Sequence, residues 1–76
     1  MKQKIFKTQL AERLGKLINA PVTVEDISTL IYGWTRNDNE LRVAINHRQW
    51  LFGYEVQALS LYAGYNLLMD ENNDFT

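Results

Sequence analysis

Residues 31–46 read IYGWTRNDNELRVAIN, and the fold of the chain turns on whether they form a hairpin or the end of one helix and the start of another. The helical reading rests on Val24, Ile27, Leu30, Ile31 and Trp34, which recur at intervals of three and four. Thr23 would cap that helix, with Glu25 and Asp26 in its positively polarised first turn. A following helix would open on Asn37 and Glu40 as a capping box and carry Leu41, Ala44 and Ile45 inward, giving an all-α bundle of helix-turn-helix kind. The strand reading uses the same letters at a period of two. Folded about Asn37-Asp38, Trp34 faces Leu41, Tyr32 faces Val43 and Leu30 faces Ile45, three apolar cross-strand pairs on one face. The richness in Ile, Thr, Tyr, Trp and Val favours strands, and the hairpin is the preferred reading.

Upstream, Phe6, Leu10, Leu14, Leu17 and Ile18 have the one-sided spacing of an amphipathic helix, with Glu12 and Lys16 paired one turn apart on its wet side. Asn19-Ala20-Pro21 should stop it, because the residue before proline is pushed out of the helical region. Downstream, residues 49–52 can add a short third strand before Gly53 breaks the pattern, and a second long helix should run from about residue 54 to 69. The expectation is a single α+β domain spanning 1–76, ordered α-β-β-(β)-α. Two helices pack on one face of a hairpin-based antiparallel sheet, and residues 70–76 form an acidic, flexible tail.

The double-stranded-RNA-binding domain is the family whose topology this order and length resemble. That resemblance implies an α+β fold and contacts to RNA from a lysine-rich opening of the last helix. The matching stretch here, FGYEVQALSLYAG, has an acid and no base, so no RNA-contacting residue carries over. The segment TQLAERLGKLI is similar to the opening of phage-repressor-type helix-turn-helix domains, although beyond it Gly33 and Leu41 stand too far apart for that pattern.

With 76 residues there is room for one small core and little stability to spare. Hydrophobic residues at 46% are too many for a disordered chain. There is no cysteine, which removes disulfides, thiolate metal sites and cysteine nucleophiles and points to a reducing, cytoplasmic setting. Charges at Lys7, Glu12, Arg13 and Lys16 interrupt any apolar run near the N-terminus, so neither a signal peptide nor a membrane span is expected. An enzyme is not expected either, as the one histidine, His47, has no partner set and no phosphate loop or carboxylate pair is visible. The acids of the tail lack the glycine turn and terminal glutamate of a calcium loop, and no cofactor or metal site is assigned.

The feature with most functional content is the last helix, because no residue from Val56 to Met69 is charged. A helix apolar around its circumference is either wrapped on most sides or presents a face to a partner. Leaving Leu61, Tyr65 and Leu68 in water would forgo several kcal/mol at about 25 cal/mol per Å², a large share of the ~5 kcal/mol such a domain possesses. The expected role is therefore a non-catalytic protein-interaction module, a regulator or inhibitor that self-associates as a homodimer or docks on a larger protein through Leu61, Tyr62, Tyr65 and Leu68. The alternative is a nucleic-acid-binding regulator using Lys2, Lys4, Lys7, Arg36, Arg42 and Arg48, against which the net charge of −1 weighs.

Overall fold

A computed structural model of the chain describes residues 3–68; Lys2 and the acidic tail 70–76 lie outside the described residues. Among the described residues there are four helices and one two-stranded antiparallel sheet, in the order β1 (Lys4–Phe6), α1 (Lys7–Ile18), α2 (Val24–Trp34), α3 (Asn39–Asn46), β2 (Trp50–Phe52) and α4 (Gly53–Ala63). The α+β class expected from the sequence holds, while the hairpin at residues 31–46 does not: these residues are helical apart from one tight turn.

Capping decides that stretch. Thr23 and Asp26 bond reciprocally, the Thr23 hydroxyl accepting from Asp26 N–H at 3.1 Å and the Asp26 carboxylate from Thr23 N–H at 2.9 Å, so the start of α2 has two of its exposed donors satisfied. At its far end Thr35 donates both its N–H and its hydroxyl to Ile31 O, and Asp38 N–H then bonds Thr35 O, closing the turn. Asp38, one residue later than the expected Asn37, caps α3 by accepting from Leu41 N–H at 3.1 Å. The inward residues change accordingly. Ile27, Ile31 and Ile45 are buried, whereas Tyr32 and Val43, a cross-strand pair in the hairpin reading, lie on the surface. β-propensity is a statement about packing on a sheet, and a segment with two good N-caps and a spacing of three and four finds better burial as helices.

The first helix forms and stops where expected, but of its expected apolar stripe Phe6 belongs to β1 and is exposed, as are Leu17 and Ile18. Gln9 reaches back to the N–H of Phe6 at 2.9 Å, and Asn19 ends the helix in the left-handed conformation, φ 55°, with its N–H on Gly15 O. The expected third strand exists as β2, but its partner is β1 at the other end of the chain, in the register Lys4 with Phe52, Ile5 with Leu51 and Phe6 with Trp50. Two further bonds, Lys7 N–H to Gln49 O and Gly53 N–H to Gln3 O, extend the ladder at both ends. Ile5 and Leu51 face inward, and the alternate residues face out. The core gathers Ile5, Leu10 and Ala11, Ile27 and Ile31, Ile45, Leu51, and Val56 and Leu59, so every element contributes and α2 packs on both α1 and α4.

The last helix is shorter than expected. It stops at Ala63 because Gly64 takes φ 81°, a conformation open to glycine at no cost, with its N–H on Ser60 O. The chain then folds back, and the Ser60 hydroxyl, itself donating to Val56 O at 2.7 Å, accepts from Leu67 N–H at 3.0 Å. Arg13 Nη1 donates to Leu67 O at 3.0 Å, and the Leu67 side chain closes the core as the last buried residue among those described.

Candidate interaction surface

Helix α4 has an inner side of Glu55, Val56 and Leu59, all buried, and an outer side that the rest of the fold leaves in water. Leu61 is 81% exposed, Tyr62 54% and Tyr65 43%. These three are part of the expected docking set, and the structure brings them to one end of α4 and the turn that follows it. Leu68 departs from that set. It is half-buried and packs against the core, because the fold-back held by Ser60 and Arg13 carries residues 67 and 68 under the domain. Tyr62 lies over α2 at Gly33, where an added Cβ would stand 2.4 Å from its phenol oxygen, so the absence of a side chain at Gly33 permits this close crossing. Arg42 lies over the exposed Tyr32 ring of the same α2 helix, 5.4 Å from its centroid.

Two of the described cations proposed for nucleic acid serve the fold. Lys7 is buried at the start of α1 and its Nζ donates to Ile45 O at 3.1 Å, satisfying a carbonyl at the end of α3. Burial, reinforced by the nearby Arg48 charge, holds its pKa below the ordinary lysine value of 10.5. Lys7 therefore does not face a ligand, contrary to expectation. Arg48 makes a bidentate ion pair with Glu55, at 2.8 and 3.1 Å, and donates from Nε to Ala44 O. The Glu55 carboxylate also accepts from Phe52 N–H at 2.8 Å, so one buried acid caps α4, holds Arg48 and ties β2 to both. Arg42 also bonds the Asn39 side chain on α3. Arg36 is exposed in the turn between α2 and α3, and Lys4 is exposed on β1.

The α2–turn–α3 unit has the connectivity of a helix-turn-helix, but its electrostatics do not suit a phosphate backbone. Glu25 and Asp26 occupy the first turn of α2, and Asp38 and Glu40 the start of α3, the helix ends where a duplex would place its phosphates. Among the described residues no group of three or more His, Asp or Glu side chains is placed to hold a metal, and no helix is long and apolar enough to cross a membrane. His47 is exposed at the end of α3.

One cluster escaped the sequence reading. The outward face of the sheet carries Lys4 and Phe6 from β1 and Trp50 and Phe52 from β2, with Tyr54 stacked on Phe52 at 5.6 Å between ring centroids. Trp50 meets Phe52 edge-on at 4.8 Å. Lys4 and Arg48 lie over the Trp50 ring at 4.5 and 4.6 Å. The period-two alternation in KIF and WLF was the available signal, split across the two ends of the chain.

No protein-family model matches the chain, and no curated protein or solved structure matches it either.

Proposed function

We propose that this chain is a non-catalytic protein-interaction module that acts in the cytoplasm as a regulator or inhibitor, and that it self-associates or docks on a larger protein through the outer side of α4. The observation that carries this reading is Leu61, 81% exposed on a helix with no charged residue from Val56 to its end. A lone surface leucine needs no explanation, but here Tyr62 and Tyr65 follow it within four residues, both exposed, and no acid or base lies between Val56 and Leu68 in the chain. Exposed tyrosines, with an apolar ring and a polar hydroxyl, are the residue type that protein interfaces favour. Because the face is uncharged, a second copy could meet it without like-charge repulsion, and a foreign protein would need only apolar complementarity.

Sedimentation across a range of concentrations, with and without Leu61→Lys or Tyr65→Glu, tests the self-associating form. A mass that rises with concentration and falls back to the monomer in either variant supports it. A monomer throughout, indifferent to both substitutions, rejects self-association and leaves the docking role to a foreign partner.

A further inference from the structure

We propose that the outward face of the β1–β2 sheet is a second binding site, distinct from the α4 surface, and that its ligand is single-stranded nucleic acid stacked on Phe6, Trp50, Phe52 and Tyr54. Two properties of the face select this ligand. The first is shape: four aromatic side chains share the outward face of the strands and the first turn of α4, Trp50 edge-on to Phe52 and Tyr54 stacked on it, with Phe6 50% and Tyr54 58% exposed and Trp50 and Phe52 half-buried. Outward residues of one strand are about 7 Å apart, so the face accommodates about two or three bases. The second is charge. Residues 3–6 and 48–54 include Lys4 and Arg48 and no acid, in a chain whose net charge is −1. The nearest acid in sequence, Glu55, is buried, and its oxygens are engaged by Arg48 and Phe52 N–H.

The cations are placed for a particular exchange. Lys4 Nζ covers the Trp50 ring at 4.5 Å, and a base stacking there displaces it toward the adjoining phosphate, where its charge is still satisfied. Arg48 stays in place, held by both Glu55 oxygens, and lies over the Trp50 and Phe52 rings at 4.6 and 5.4 Å. Cations gathered at an aromatic face suit a ligand with alternating flat bases and anionic linkers. A duplex, whose bases are stacked on each other, offers nothing to these rings.

The test uses the full chain and fluorescein-labelled oligo-dT and oligo-U, with a duplex of the same length and inorganic tripolyphosphate as controls. Anisotropy is read from about 20 to 200 mM salt. The expected result is binding of both single strands with a log–log salt slope near about −0.7, from Lys4 alone because Arg48 stays paired with Glu55, and quenching of tryptophan fluorescence. Tyr54→Ala and Phe6→Ala, both at exposed positions, should each weaken binding roughly ten-fold, and Lys4→Gln should flatten the slope by about 0.7. Preference between the oligo-dT and oligo-U arms assigns the ligand to DNA or RNA. Leu61→Gln should leave the affinity unchanged, which keeps this site separate from the α4 surface. Absence of binding at the lowest salt, equal affinity for the duplex, full competition by tripolyphosphate, or indifference to both aromatic substitutions overturns the proposal.

Discussion

Replacing Leu61 by lysine should leave the fold as stable as before, whereas Leu59→Ala, two residues away on the same helix, should cost much of the domain's stability. Leu59 is fully buried and belongs to the core. Truncating such a leucine costs about 2–5 kcal/mol from lost transfer energy and the cavity left behind. A domain of this size holds only about 5 kcal/mol or somewhat more. Leu61 is 81% exposed, so about a fifth of its side chain is sheltered, worth roughly 0.3–0.6 kcal/mol of the ~1.5–3 kcal/mol that full leucine burial supplies. Position 61 falls in the last turn of α4, where a lysine charge faces the negative end of the helix and returns about 0.3–1 kcal/mol. The two effects cancel to within about 0.5 kcal/mol, the usual range for a surface substitution. Urea unfolding followed by circular dichroism measures both variants, at protein concentrations low enough that self-association adds no apparent stability. A loss above about 1 kcal/mol for Leu61→Lys would show that Leu61 is sheltered within the monomer and that α4 has no spare face.

Removing the Glu55 carboxylate leaves Arg48 without its counter-ion and Phe52 N–H without an acceptor, so Glu55→Ala should destabilise by about 3–5 kcal/mol, and Glu55→Gln by less; urea midpoints check both. Lys7, with its pKa held below 10.5, binds fewer protons folded than unfolded between its lowered folded value and 10.5, so its burial penalty is present below that window and relieved above it. Stability should therefore rise with pH through the window, and Lys7→Met should remove that rise in unfolding curves taken on either side of it, any residual rise of the same size counting against the assignment. Asp38→Ala removes the cap on Leu41 N–H and should cost about 1 kcal/mol, read as a lower thermal midpoint by roughly 4–8 °C.

Local signals were legible from the sequence where one reading dominated. The first helix, its stop at Asn19, the short strand before Gly53 and the spare face of the last helix all follow from spacing and breaker residues. Residues 31–46 were ambiguous because Trp34, Leu41 and Ile45 satisfy both periods, and the deciding bonds, Thr23 with Asp26 and Asp38 with Leu41, are helix caps whose formation the letters alone do not weigh against a sheet. The pairing of β1 with β2 was out of reach, since three residues at each end of the chain carry too little period to be matched to each other. Lys7 was misplaced for a related reason. A charge in a sequence is read as solvated, and only the tertiary fold supplies the Ile45 carbonyl that brings it inside and the Glu55 carboxylate that pairs with Arg48. The truncation of α4 at Gly64 rests on one positive φ, and it leaves Leu68 half-buried against the core and Leu61 in water.

The docking role of α4 is tested most directly by a photo-crosslinking amino acid placed at position 61, with the same group at Thr29, exposed on α2, as the control. Irradiated in cells that make the protein, position 61 should yield a discrete adduct, either twice the monomer mass or the monomer plus one partner, and position 29 should yield none. No adduct from position 61, or the same adducts from both positions, would contradict the claim that this helix carries the interaction surface.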